Sequence, residues 1–169
     1  MRILKWLGYL VLALAVGIAA LFGAARLHDG PMSGALGMIP GGPLESGDAV
    51  ATPIADWSFA RDVDTIEMQL VGDVTSRTTW ILVDRGVAYV PCSLGFPPMK
   101  NWYKRADVDG RAWLRIAGKR YPVELRRTND AEVIGRLGAE VKRKYARGGG
   151  GLPPSEAGVW FFAVQSRAA

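Results

Sequence analysis

The stretch RTTWILVDRGVAYVPC, residues 77–92, predicts two β-strands joined by a tight turn. Both halves are rich in β-branched and aromatic residues, which favour strands. Between them Asp84-Arg85-Gly86 has the composition of a hairpin turn, because glycine accepts the positive φ that such turns require. We therefore expect antiparallel strands over residues 77–84 and 87–92.

Four further segments have strand patterns. The first alternates apolar and polar residues, as a half-buried strand does. Two others flank the turn Ala117-Gly118, and the last is strongly apolar. Pro122 lacks an N–H group, so we expect it at a sheet edge or a bulge. The four segments are 65–71, 111–116, 119–127 and 159–167.

Two helices interrupt these strands. Residues 93–99 should form a loop that leads into a short helix over 100–106. Thr128-Asn129-Asp130 offers a cap for a longer helix over 131–145, which the glycines of 148–151 should end. The order is three strands, a helix, two strands, a helix and a last strand. It predicts a mainly β, α+β domain over residues 57–169.

The N-terminal residues 1–28 have the pattern of a membrane anchor. Residues 7–25 carry no charge, and at about 1.5 Å per residue they approach the thickness of a bilayer core. Arg2 and Lys5 precede this span, so we expect a cytoplasmic N-terminus and a single pass with the domain outside. The alternative is a cleaved signal peptide, since Gly23-Ala24-Ala25 offers small residues.

Residues 29–56 are rich in glycine and proline and show no helical or strand periodicity. Such composition favours a flexible linker, which would hold the domain clear of the membrane.

The composition excludes several classes of chemistry. His28 is the only histidine and Cys92 the only cysteine. The domain therefore has no catalytic triad or histidine metal site, and no disulfide can form within the chain. The net charge is +5, but basic and acidic residues are interleaved, so we expect no nucleic-acid partner. The basic run Lys142-Arg143-Lys144 fits a solvated helix face or a contact with anionic lipid or phosphate.

Three motifs carry a family resemblance: SRTTW at 76–80, KNWY at 100–103 and WLRIAGKRY at 113–121. Together with the element order, they resemble the pyridoxamine-phosphate-oxidase-like superfamily, which includes nitroreductase-like members. The resemblance implies a six-stranded antiparallel split β-barrel with two helices. It also implies a homodimer that binds FMN or a deazaflavin coenzyme between its subunits.

The resemblance assigns the cofactor phosphate to Arg77, Thr78 and Lys100, with Trp102 as a candidate platform for the ring. Independently, arginine offers phosphate a planar fork and lysine a point charge. Arg77 could instead pair with Asp73 or Asp84. Lys100 could simply be solvated, and Trp102 could belong to the core or an interface. The sequence names no catalytic residue.

Two functions follow. The first is a membrane-tethered flavin- or deazaflavin-dependent oxidoreductase that acts on a small molecule. The alternative is a non-catalytic split-barrel domain for binding or assembly, without a cofactor.

Overall fold

A computed structural model of the chain describes residues 2–32, 39–95, 100–145 and 158–168. In these residues the chain forms three α-helices, one 3-10 turn at Ser58–Ala60 and eight strands. The helices are α1 Arg2–Leu27, α2 Trp102–Val108 and α3 Ala131–Tyr145. The strands are β1 Asp48–Ala49, β2 Thr65–Leu70, β3 Arg77–Trp80, β4 Leu82–Asp84, β5 Val87–Ser93, β6 Arg111–Ile116, β7 Lys119–Thr128 and β8 Val159–Ser166.

The strands form a nearly closed antiparallel barrel. Their order is β3-β2-β6-β7-β8-β5-β4, with β1 added in parallel beside β7. The two strands at the ends of this order, β3 and β4, are separated in the chain by Ile81 alone. The predicted strand 77–84 is thus interrupted, and its two halves pair with opposite flanks of the sheet. The α+β class is confirmed.

Residues at the end of α3 stabilise this interruption. A carbonyl group freed from the ladder needs another donor when it is buried. The Ile81 carbonyl accepts hydrogen bonds from Lys144 Nζ at 2.8 Å and from the Tyr145 hydroxyl at 3.0 Å. The same two side chains also bond the carbonyls of Val63 and Asp64. Helix α3 thus holds the barrel together where its strand breaks.

Both predicted hairpin turns are confirmed. Arg85 and Gly86 have φ of 51° and 81°, and Ala117 and Gly118 have φ of 48° and 77°. Two successive positive φ values are typical of the turns whose twist matches that of paired strands.

Pro122 lies neither at an edge of the sheet nor at a bulge. Its missing N–H group nevertheless explains its position. It is inside β7 and buried, opposite Trp113 of β6. On the other flank of β7, β1 pairs with Lys119 and Arg120, and β8 pairs only from Val123 onward. Pro122 therefore occupies the gap between two partner strands, where a missing N–H breaks no ladder.

The core has two parts. The barrel interior is filled by apolar side chains from the strands and from α2, with Met68, Leu114, Val123 and Phe162 fully buried. A second cluster lies between α3 and the outside of the barrel, and Leu137 is at its centre.

Helix α1 is long and apolar enough to cross a bilayer. Its stretch Ile3–Leu27 has 25 residues, and a run of 18 residues within it has a mean hydropathy of 2.3. A signal sequence has the same properties. The side chains of residues 3–20 are exposed, whereas Ala25 in the last turn is fully buried. The helix therefore touches the rest of the protein only near its C-terminal end.

The segment expected to be a flexible linker is bonded to the barrel in its described part. We call residues 41–49 the strap. Gly41 and Gly42 bond to Ser76 at one end, and β1 pairs with β7 at the other. A Cβ atom on Gly41 would lie 1.9 Å from the Gly30 carbonyl oxygen, and one on Gly42 2.4 Å from that of His28. These glycines permit close backbone packing, so the expectation of a free spacer does not fit the described residues.

Candidate functional site

Arg77 and Thr78 point to opposite faces of the barrel wall. Successive side chains of a strand alternate between faces. Arg77 is directly opposite Met68, which is buried inside the barrel, whereas Thr78 is opposite Glu67 on the outside. The two residues that the sequence assigned to one phosphate are therefore separated.

Arg77 lies at one end of the barrel beside α2. Its side chain is 17% exposed, and its guanidinium lies 5.8 Å from the ring centre of Trp102. One terminal nitrogen is 3.7 Å from the Asp73 carboxylate, which also receives two hydrogen bonds from Arg105 at 2.5 and 2.9 Å. The Nε atom of Arg77 is buried and has no hydrogen-bond partner among the described residues.

Lys100 lies in the same part of the barrel as Arg77, because both act on Cys92. Burial raises the pKa of the Cys92 thiol to about 11, while the positive charges of Lys100 and Arg77 act on it in the opposite direction. Both cations therefore lie near the same sulfur atom. The hydroxyl of the next residue, Ser93, is also buried and has no partner among the described residues. Ser93 lies on the other face of β5, however, because adjacent side chains of a strand alternate and Cys92 belongs to the barrel interior. We call Arg77, Cys92 and Lys100 the barrel-end cluster.

The cluster is positively charged and partly withdrawn from water. Burial lowers the pKa of both Arg77 and Lys100, because a cation is less stable away from solvent. The Asp73 carboxylate opposes this effect at Arg77. Since the thiol of Cys92 stays protonated at neutral pH, the cluster contains two cations and one neutral group. Such a set favours an anion.

Trp102 belongs to the core rather than to an open platform. Its side chain is 4% exposed, and its ring centre lies 5.6 Å from that of Phe162. The helix also begins later than the sequence predicted, at Trp102 instead of residue 100. Lys100 therefore precedes the first turn of α2. Residues 96–99 of the expected loop, and the glycines expected to end α3, lie outside the described residues.

Thr78 lines a second feature, a groove of about 500 Å³ on the outside of the barrel. Pro31 and Met32, which follow α1, form one wall, and the turn at Ala117 and Gly118 lies at one end. Arg115 of β6 also lines this groove.

Every nitrogen of the Arg115 guanidinium donates a hydrogen bond. Its Nη1 donates to both Asp29 carboxylate oxygens at 3.0 and 2.9 Å and to the Ser46 hydroxyl at 2.9 Å. Its Nη2 donates to the Asp29 carbonyl at 3.1 Å, and its Nε donates to Glu67. This network, which we call the strap lock, joins the residue after the α1 exit to the strap and to β2.

The electrostatics of the strap lock favour an ionised Asp29. Burial alone would raise the pKa of this carboxyl group. The Ser46 hydroxyl, the amides of Glu45 and Ser46, and Arg115 all bond to it and together hold its pKa well below its usual range.

Sequence reasoning missed one part of these sites. The Arg115 partner Asp29 is 86 positions away, although Arg115 itself stands in a motif that drew attention. Among the described residues there is no group of three or more His, Cys, Asp or Glu side chains that could bind a metal ion.

Comparison with known proteins adds no assignment. No family model matches the chain, and no curated protein sequence is significantly similar to it. The fold and the two sites define an α+β protein with an apolar N-terminal helix and a nearly closed antiparallel barrel.

Proposed function

We propose that this chain is a membrane-anchored, flavin- or deazaflavin-dependent oxidoreductase of the split-barrel type that acts on a small molecule. The observation that carries the proposal is the barrel-end cluster. It combines two partly desolvated cations with a buried donor, the Arg77 Nε, that has no partner among the described residues.

An anion would satisfy this donor. A buried N–H group without a partner costs about 1–3 kcal/mol, so natural proteins rarely leave one unsatisfied. A phosphate oxygen accepts several hydrogen bonds and is attracted to the charges of Arg77 and Lys100. Both positions are those that the family resemblance assigns to the cofactor phosphate. Thr78 has no part in this proposal, because it faces the outer groove.

The residues of the chain would bind and orient the cofactor. A flavin supplies hydride or electron transfer by itself, and the protein supplies position and exclusion of water. Because side chains fill the barrel interior, the ring has no room there. The groove between subunits that the resemblance implies is the proposed place for it, which makes a homodimer part of the proposal. Cys92 would not act as a nucleophile, since its thiol stays protonated.

The test is titration of the full-length protein with FMN, with a deazaflavin coenzyme and with riboflavin, which lacks the phosphate. Arg77→Ala and Lys100→Ala should each weaken binding of the phosphorylated cofactor about tenfold to a hundredfold. Riboflavin binding should change much less. Lys119→Ala, an exposed charge on a hairpin at the other end of the barrel, is the matched control and should bind as wild type.

A second function is favoured by the contacts that Arg77 already makes. Its guanidinium has Asp73 and Trp102 beside it, as in a structural ion pair, and Trp102 is part of the core. The chain would then be a binding or assembly domain without a cofactor. An absorption spectrum of the purified protein separates the two, because a bound flavin is yellow. Wild type that binds neither cofactor at roughly tens of micromolar supports the second function.

The proposed homodimer has its own test. Exposed apolar surface around a barrel favours association, and symmetric pairs are the commonest oligomers. Light scattering of the detergent-solubilised chain, corrected for bound detergent, should give twice the monomer mass. A monomer would remove the subunit groove and with it the place proposed for the ring.

A further inference from the structure

Large apolar side chains that are exposed on the folded domain occur at its two opposite ends. At one end β2 leads into β3 and α2 terminates, and three valines are exposed there: Val71 by 39%, Val74 by 75% and Val108 by 90%. We call these three residues the valine rim. The Val71 amide bonds to the Arg111 carbonyl, and Asp73 is paired with Arg105 of α2, so the rim forms one continuous surface. Phe59 and Val87 are exposed at the other end, where β4 turns into β5.

The contacts made by the α1 exit show from which side the helix reaches the barrel. The Gly42 amide bonds to the carbonyl of His28, directly after α1, and Gly42 also bonds to Ser76, two residues from Val74. Asp29 is next, and it bonds to Arg115, which pairs with Glu67. Glu67 is nearer the start of β2, so the chain moves away from the rim at the end of that strand.

The residues that follow continue in that direction. Pro31 and Met32 line the groove that ends at Thr65, the start of β2, and at Gly118. From His28 to Met32 the chain thus moves from the rim end of the barrel toward the opposite end. The last turn of α1 therefore lies at the rim end of the barrel, because the carbonyl groups of Arg26 and His28 both lie against Gly42.

We propose that the valine rim rests in the interface of the bilayer that α1 spans, so that this end of the barrel faces the lipid. The proposal rests on the membrane anchoring of α1. Exposed valines favour transfer from water into an apolar surrounding. The arginines beside them are paired, Arg105 with Asp73 and Arg111 with Asp109. The rim therefore needs no anionic lipid and fits a zwitterionic surface.

The barrel-end cluster shares this end of the molecule. Arg77 is the first residue of β3 and Cys92 the last but one of β5, and the pairing of both strands places these residues near the rim rather than near Val87. A ligand of the cluster would then approach from the lipid side.

The experiment uses the full chain in vesicles of phosphatidylcholine, with single cysteines labelled by an environment-sensitive fluorophore. Val74→Cys and Val108→Cys report on the rim, Val87→Cys is the matched control at the opposite end, and Val11→Cys reports on α1. Cys92 is buried and its thiol is protonated, so it should react little with the label. Labelling of the wild type, which contains only Cys92, measures this background. Brominated lipid, which quenches only fluorophores in contact with the bilayer, is compared with ordinary lipid.

We expect loss of fluorescence at positions 74, 108 and 11 in brominated lipid, and none at position 87. The losses should be equal in vesicles with and without anionic lipid. If position 11 is quenched and positions 74 and 108 behave as position 87 does, α1 is anchored but the rim does not touch the bilayer, and the inference is wrong. If position 11 is not quenched either, the anchor itself is absent and both ideas fail.

Discussion

Two largely buried arginines differ in how many of their guanidinium nitrogens donate hydrogen bonds. They are Arg115 in the strap lock and Arg77 in the barrel-end cluster. Their side chains are 10% and 17% exposed, so both are largely withdrawn from water. Arg115 donates hydrogen bonds from Nε and both terminal nitrogens, to two carboxylates and to the strap. Among the residues that the structure describes, Arg77 has an Nε without a partner and one ion pair, at 3.7 Å.

The difference separates a structural arginine from a candidate binding arginine. A guanidinium whose donors are all used stabilises the groups around it and offers nothing to a ligand. One with an unused buried donor keeps an unfavourable desolvation cost that a bound anion would remove. Three substitutions test this distinction.

The largest effect should come from Arg115→Met. It leaves the carboxylates of Asp29 and Glu67 without their cation, and both are partly exposed, which limits the cost. We expect a loss of about 2 kcal/mol in the free energy of unfolding, measured by denaturant titration in detergent. Arg111→Met, four residues earlier on β6, should lose much less, because the pair of Arg111 with Asp109 is exposed to solvent. Equal losses in the two variants would contradict the assignment of Arg115 as a lock.

Arg77→Met should change stability less, by about 1 kcal/mol or less in either direction, because replacing a poorly paired buried charge with an apolar side chain is often neutral. Asp73 would keep Arg105 as its partner. The same denaturant titration measures this. A loss as large as that of Arg115→Met would make Arg77 a structural residue and favour the cofactor-free barrel.

The smallest effect concerns acid stability. The pKa of Asp29 is lowered in the folded protein, so its contribution is present above the unfolded pKa, about 4, and is lost as the pH falls below that value. Asp29→Asn cannot titrate. Its free energy of unfolding should therefore fall less steeply than that of wild type between about pH 4 and pH 2. Parallel curves would show that the strap lock does not form in solution.

The strand and helix pattern could be predicted because it depends on neighbours in the chain. The hairpin turns at Arg85-Gly86 and Ala117-Gly118 follow from glycine's tolerance of positive φ. The helix α3 has the predicted bounds, since its apolar positions recur at helical spacing. The interruption of the strand at Ile81 had no local signal, because it depends on Lys144 and Tyr145 far along the chain.

The candidate site was predictable only in part for the same reason. Arg77 and Lys100 were chosen from motifs, and the fold brings both near Cys92. Thr78 was grouped with Arg77 because the two are adjacent in sequence, and strand alternation then separates adjacent side chains. Trp102 was a candidate platform because an exposed and a buried tryptophan look alike in a sequence.

By itself, the sequence determined the apolar N-terminal helix and the absence of histidine and disulfide chemistry from the domain. It also determined the order of the strands along the chain, but it predicted six strands where the described residues form eight, because β1 and the break between β3 and β4 had no signal. The properties that it determined follow from composition and short-range periodicity. The tertiary structure alone decided that the glycine-rich strap packs on the barrel. It also decided that every nitrogen of the Arg115 guanidinium donates a hydrogen bond, whereas the Arg77 Nε has no partner among the described residues. Glycine serves both flexible chain and close backbone contact, and only the position of Gly30 against Gly41 and of His28 against Gly42 distinguishes the two uses.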